Sequence, residues 1–183
     1  MGHLFTSFAD AWQAFLRREE PLESFWSDLP DDAETFVDAW LIVPPPELKR
    51  ALLRVQGALE DVHGLAIVPH HFLHVSLPHA HELEKPFEVS VARANCFPAA
   101  VVVEVESETL DALDAPETFL PHLSLAYVER PVEPGPVRAI VEPLRDTAFG
   151  SFVVDEVVRV RVPAAKATIL EPWTVVERLS LRR

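Results

Sequence analysis

The sequence predicts a mixed α/β (α+β) fold with two similar lobes that face each other across a cleft. Segments of alternating apolar and polar residues, typical of strands, outnumber segments with helical spacing. The strand-like segments often follow one another directly, which favours hairpins and antiparallel pairing over βαβ alternation. A motif, HVSL at 74–77, recurs as HLSL at 122–125, and the elements around the two copies are roughly mirrored. At 183 residues with 49% apolar composition, the chain can bury a full core.

The first 35 residues predict an acidic helical extension. Aromatic residues recur there at helical spacing before Pro21 ends the helix: Phe5, Phe8, Trp12 and Phe15. A second short apolar stretch, LESFWSDL, and a turn-rich linker follow. Residues 1–40 hold nine acidic and two basic residues, so they carry −7 of the formal net charge of −13. We expect residues 1–35 to be a lid or packing element on a domain that comprises residues 36–183.

That domain begins with a strand, FVDAWLIV, which a run of three prolines ends. A helix from Pro46 to Val62 follows, with Gly64 placed to cap its end. One stripe of this helix predicts its buried face: Leu48, Leu52, Val55, Leu59 and Val62. Four strands come next, LAIV, HFLHVSL, PFEVSVA and AAVVVEVE, the last two rich in β-branched residues.

The remaining elements complete the second lobe. Ser107 opens a short helix in SETLDALD, and FLPHLSLAYV is the next strand. Pro136 lies in the first turn of a helix, GPVRAIVEPLRD. Two strands, SFVVDEVVRVRV and WTVVERLSL, end the chain.

The repeated motif places polar side chains on one face of each of two strands. Residues i and i+2 of a strand share a face, so His74 and Ser76 point one way and the adjacent apolar residues the other. His122 and Ser124 repeat this arrangement in the second copy. Each strand therefore has an apolar back for the core and a His/Ser front for the cleft.

This arrangement resembles the 2H phosphoesterase superfamily, which includes 2'-5' RNA ligase and cyclic phosphodiesterase proteins and is named for two His-x-Thr/Ser motifs. The resemblance covers about residues 36–183. It implies two antiparallel-rich sheets around a central groove with helices outside, and metal-free hydrolysis or transfer of phosphodiesters, often 2',3'-cyclic ones. Serine stands here where threonine is commoner in the family. The two motifs are 48 residues apart, which leaves little room for a large RNA-binding insertion and makes ligation the less favoured activity.

The residue types suit such chemistry. Cleavage of a cyclic phosphodiester needs a base to activate water and an acid to protonate the departing ribose oxygen. Two imidazoles with ordinary pKa values near 6.5 supply both close to neutral pH. We therefore predict His74 and His122 as the acid/base pair, in either order, and Ser76 and Ser124 as phosphate-binding donors. No cofactor is expected.

Other residues have competing interpretations. Further histidines in the stretch PHHFLHVSLPHAHEL could join His74 as metal ligands: His70, His71, His79 and His81. Few acids and no cysteine accompany them, so no metal is expected at the site. We expect Cys96 to be a buried small hydrophobe. Strict alternation places Tyr127 in the core unless its strand bulges. Arg159, Arg161 and Lys166 are expected to be solvated, with a phosphate contact as the alternative.

Composition limits the possible partners. A net charge of −13 argues against extended nucleic-acid binding, because that binding neutralises phosphates with Lys and Arg. A lone cysteine excludes an internal disulfide, and neither a signal peptide nor a membrane span is apparent, so we expect a cytoplasmic protein. The expected partner is a small nucleotide or an RNA end. Three functions remain open: a cyclic phosphodiesterase, a nucleotide-binding module of the same fold without turnover, and a metal-binding protein that uses the histidine cluster.

Overall fold

Four α-helices and nine strands make up the described part of the chain, residues 5–182 of a computed structural model. Helices α1 to α4 span Phe8–Leu16, Pro46–Glu60, Glu108–Asp111 and Pro134–Val141. Strands β1 to β9 span Phe36–Ile42, Leu65–Ile67, Val75–Leu77, Phe87–Phe97, Ala100–Glu106, His122–Val128, Ala148–Val154, Glu156–Pro163 and Thr174–Ser180. Among the described residues, no helix is long and apolar enough to cross a membrane.

The strands form one antiparallel sheet in the order β7-β4-β5-β6-β3-β1-β8-β9, with β2 paired to β6. The predicted α+β class is therefore confirmed. The structure corrects one detail, because the two predicted sheets are two halves of a single sheet. The halves join where β3 pairs with β6, at Val75 and Leu123. This junction brings the two His-x-Ser motifs to the middle of the sheet.

Helices α2 and α4 pack on one face of the sheet and bury the main core. The predicted apolar stripe of α2 is buried, with Leu52 and Leu59 fully inaccessible. Gln56 of the same helix is also buried, and its amide donates to the carbonyl oxygens of Val68 at 2.8 Å and Leu125 at 3.1 Å. The apolar backs of β3 and β6 face this core, since Val75 and Leu123 are also buried. The polar fronts of both strands consequently face the other side.

The N-terminal helix covers part of that other side. Ser7 caps α1 by accepting from the Asp10 amide at 3.0 Å, as expected at a helix start. Ala11 of α1 belongs to a buried cluster with Phe97, Ala100 and Val102 of β4 and β5. The first helix is thus packed on the domain, and the boundary at residue 35 stays a prediction.

The turn after α2 differs from the sequence prediction. The helix ends at Glu60, with Asp61 as its C-cap, whereas Gly64 forms the tight turn into β2 at φ +100°. A Cβ atom at Gly64 would lie 2.7 Å from Cγ2 of Val132. We expect Gly64→Ala to lower the free energy of unfolding by about 1–3 kcal/mol, because the positive φ and the contact both oppose a side chain. Urea denaturation followed by tryptophan fluorescence measures this loss.

Gly57 provides a matched control for that measurement. It lies on the exposed face of α2, and a Cβ atom there meets nothing within 4 Å. Gly57→Ala should raise the free energy of unfolding by about 0.5–1 kcal/mol, since alanine is the better helix former. Equal effects of the two substitutions would contradict the assigned role of Gly64.

Candidate active site

The four predicted site residues line one cavity. His74 directly precedes β3 and Ser76 lies within it, while His122 and Ser124 lie on β6. All four border a cavity of about 560 Å³ on the polar side of the sheet. The structure therefore brings the two motifs together, as their alternation predicted, and their catalytic roles stay predictions.

The two imidazoles are held in the same way. Nδ1 of His74 lies 2.7 Å from the carbonyl oxygen of Phe72, and Nδ1 of His122 lies 2.6 Å from that of Leu120. A carbonyl oxygen only accepts, so each Nδ1 carries the proton and donates. In the neutral ring, Nε2 then carries the lone pair. The main chain two residues earlier thus sets the same tautomer in both motifs, and each Nε2 is the nitrogen suited to proton transfer.

Aromatic rings surround His74. The rings of Phe72 and Trp173 meet its imidazole nearly edge to face, with centroid separations of 5.8 and 5.2 Å. Burial lowers the pKa of His74 below 6.5, and the positive charge of Lys49 lowers it further. The hydrogen bond to the Phe72 carbonyl raises the pKa, but this effect is smaller than that of burial. At neutral pH the ring is accordingly held in its neutral form. His74 therefore also packs within this aromatic cluster.

A buried ionic network lies across the strand from His122. Glu104 is opposite His122 in the β5–β6 register and is 1% exposed. Its carboxylate accepts from Arg93 at 2.7 Å, from Asn95 at 2.8 Å and from Arg145 at 2.5 Å. Cross-strand neighbours share a face, so this network supports the strand surface beside His122. Sequence reasoning missed it, and the only local signal was an acidic residue inside the apolar segment AAVVVEVE.

Tyr127 lies in the cavity wall rather than in the core, because its strand bulges, which is the exception that the sequence analysis allowed. Strand β6 contains a β-bulge. Val101 of β5 pairs with Ala126, whereas the next residue, Val102, pairs with Ser124, so Leu125 has no partner in β5 and is an extra residue. The face of each later residue is therefore reversed. The Tyr127 ring stacks on Phe25 at 4.3 Å between centroids. Burial raises the pKa of Tyr127, which keeps the hydroxyl protonated.

Apolar and aromatic residues dominate the rest of the cavity wall. Phe25, Phe97, Phe119 and Leu120 contribute, and Glu23 is the charged residue among the described lining residues. Arg159 and Arg161 do not reach the cavity: they pair with Asp38 at 3.1 and 3.0 Å, which lowers the pKa of that carboxyl.

Lys166 and Cys96 also lie apart from the polar groups of the cavity. Lys166 forms an ion pair with Asp31 at 2.8 Å. Cys96 is buried, and burial raises the pKa of its thiol far above the ordinary value. These structural interpretations agree with the sequence predictions.

Solved structures of other proteins share the fold of this chain. No protein-family model matches the chain, and no curated protein matches it. Among solved structures, TT0787 of Thermus thermophilus has a TM-score of 0.59 at 20% identity, over 79% of this chain and 97% of that one. A phosphoesterase has a TM-score of 0.56 at 14% identity, over 80% and 98%. E. coli LigT complexed with 3'-AMP has a TM-score of 0.53 at 13% identity, over 82% and 100%. The chain has the 2H phosphoesterase fold.

The resemblance inferred from the two motifs is thus confirmed at the level of the 2H fold. Of the five histidines in PHHFLHVSLPHAHEL, only His74 faces the groove of this fold. His70 and His71 are exposed in a 3₁₀ turn before β3. His79 and His81 lie together in the loop after β3, outside the cavity lining. Among the described residues, the side chains close enough to share a metal ion are His79, His81 and Glu82, and this group does not include His74.

Proposed function

We propose that the protein is a metal-independent phosphodiesterase that opens 2',3'-cyclic phosphates of nucleotides or of RNA ends. The observation that carries this proposal is the pair of matched imidazoles in one cavity, each with its tautomer set by a carbonyl two residues earlier. One serine hydroxyl accompanies each imidazole on the same strand face. The 2H fold, shared with LigT and a phosphoesterase, supports this class of chemistry.

The environment of the pair suggests which imidazole is the base. Burial keeps His74 neutral at neutral pH, so we assign it to accept a proton from water through Nε2. The water oxygen then bonds to phosphorus, and the bond from phosphorus to one ribose oxygen breaks. His122, in its protonated form, gives that oxygen a proton. Ser76 and Ser124 donate to the non-bridging oxygens, where negative charge increases in the transition state.

The cavity fits a small nucleotide better than a long RNA. Its volume of about 560 Å³ is within the range of sites for small ligands. The stacked rings of Phe25 and Tyr127 offer an aromatic surface of the kind on which bases stack. Arginine and lysine are absent from the described lining residues, and the chain is strongly acidic, so a phosphate backbone has little to bind. LigT complexed with 3'-AMP supports a nucleotide ligand, and RNA ligation remains the less favoured activity.

Turnover of 2',3'-cyclic nucleotides in the presence of EDTA is the test of this function. We expect conversion to nucleoside monophosphates, identified by ³¹P NMR, and a rate that rises and then falls with pH. Because burial lowers the pKa of His74, we expect the acidic limb at lower pH than two ordinary imidazoles would give. The limbs report the coupled pair rather than single residues.

Two outcomes would contradict the proposal. Saturable binding of a cyclic nucleotide without any product would favour a binding module of the same fold. Activity that is lost on chelation and restored by a metal ion would show that a bound cation supplies the nucleophile, which removes the roles assigned to His74 and His122.

A further inference from the structure

Three side chains with metal-ligating atoms converge in the loop after β3. The rings of His79 and His81 lie 4.1 Å apart between centroids, and Glu82 follows directly. One ligand atom from each of the three residues lies within 4.8 Å of the other two. None of them lines the cavity that holds His74 and His122. This cluster is the part of the histidine-rich stretch that the proposed function leaves unused.

The hydrogen bonds of His79 prepare one nitrogen for a metal. Nε2 lies 2.8 Å from the carbonyl oxygen of Asp114, so Nε2 carries the proton and donates. Nδ1 therefore holds the lone pair, and it is buried with no hydrogen-bond partner among the described residues. A buried nitrogen left without a partner costs free energy. A metal ion at Nδ1 would remove that cost.

The main chain of Asp114 supports the cluster from a second loop. Its carbonyl oxygen accepts from His79, and its amide donates to Oε2 of Glu82 at 3.3 Å. Metal-bound histidines usually donate their second ring N–H to a carbonyl or a carboxylate, and metal-bound carboxylates are themselves hydrogen-bonded. Both outer contacts are thus already in place. The buried side chains of Ala80 and Leu83 anchor the loop on either side of His81 and Glu82.

We propose that His79, His81 and Glu82 bind a divalent transition-metal ion such as Zn²⁺, with Nδ1 of His79 as the central ligand. Two imidazoles and one carboxylate are a common zinc ligand set, and the exposure of His81 leaves the fourth position to water. Zinc bonds of about 2.0–2.1 Å separate tetrahedral ligand atoms by about 3.3 Å. The three ligand atoms, which lie within 4.8 Å of one another, would close in by up to about 1.5 Å. The exposed His81 side chain can provide this movement.

The position of this site indicates its role. Its ligands lie between β3 and β4, and Asp114 lies in the connection from α3 to β6. That connection continues into Thr118, Phe119 and Leu120, which form part of the cavity wall. A bound ion would therefore join the loops next to both His-x-Ser strands and order one wall of the groove. It would not contact the reacting phosphate.

Calorimetric titration of the full chain, without an affinity tag, with Zn²⁺ tests the proposal. We expect a single saturable equivalent and slower amide hydrogen exchange over residues 112–121 when Zn²⁺ is bound. His79→Gln removes Nδ1 but keeps a donor for the Asp114 carbonyl, and His81→Ala changes a side chain that is 71% exposed. Each should weaken Zn²⁺ binding by at least about 100-fold, since even outer contacts are worth 10- to 100-fold.

His71→Ala is the matched control, because His71 is an exposed histidine of the same stretch outside the cluster. It should bind Zn²⁺ as the wild type does. Absence of saturable binding by the wild type would overturn the proposal. Equally weakened binding in His71→Ala, or wild-type affinity in either cluster variant, would also overturn it. Because the experiment measures Zn²⁺ binding, its result does not depend on the phosphodiesterase assay.

Discussion

His122→Asn should lower kcat for a 2',3'-cyclic nucleotide by about 10²- to 10⁴-fold, the usual effect of removing one general acid or base. Asparagine places an amide donor near the position of Nδ1, so the bond to the Leu120 carbonyl can persist while Nε2 is lost. The same substitution at His74 keeps the bond to the Phe72 carbonyl. Steady-state kinetics on both variants, with thermal unfolding as a check on folding, measures the effect.

The serine variants provide a graded comparison. Ser76→Ala and Ser124→Ala each remove one hydrogen-bond donor and leave both proton transfers in place, so they should retain more activity than either histidine variant. His70→Asn, a change at an exposed histidine outside the cavity, should leave kcat unchanged. Wild-type turnover by a folded His74→Asn or His122→Asn protein would show that the residue is not part of the acid/base pair.

Glu104→Ala should lower the free energy of unfolding by about 3–5 kcal/mol, because removing one partner of a buried ion pair leaves the other charges uncompensated. The carboxylate is 1% exposed and accepts from two guanidinium groups, those of Arg93 and Arg145. The Arg145 guanidinium also lies 4.8 Å from the centroid of the Trp12 ring on α1. Removing Glu104 should therefore also weaken the contact between α1 and the sheet. The partial exposure of Arg93 favours the lower end of the range. Urea denaturation measures the change.

Glu106→Ala is the matched control on the same strand. Glu106 also pairs with Arg93, but its side chain is 50% exposed. Exposed ion pairs contribute about 0–1 kcal/mol, so this variant should be close to the wild type in stability. Similar losses in Glu104→Ala and Glu106→Ala would show that burial of the network is not what stabilises the sheet.

Much of the site could be predicted from short stretches of sequence, because strand alternation is a local property. His74 and Ser76, with an apolar residue between and on either side, determine which face of β3 is polar. The second motif determines the same for β6. Apolar periodicity likewise predicted the buried stripe of α2, and three prolines predicted the end of β1.

Other features depend on which segments become neighbours. The extra residue at Leu125 is defined only by pairing of β6 with β5, and it moves Tyr127 from the predicted core to the cavity. The partners of Glu104 come from β4 and from the turn after α4. Gly64 was predicted to cap α2, and only the folded chain shows that it forms the turn into β2 beside Val132.

The sequence by itself determined the polar fronts of two strands and the four residues placed there, since each follows from the periodicity of a single segment. It also determined the fold class, which follows from the order of such segments along the chain. The tertiary structure decided that the two halves form one sheet, that burial holds His74 neutral, and that His79 meets the Asp114 carbonyl of a distant loop. The physical reason is that desolvation and hydrogen bonding act between atoms that are close in space. Folding brings together residues that are far apart in the sequence, and the pattern within a single segment does not show which residues these are.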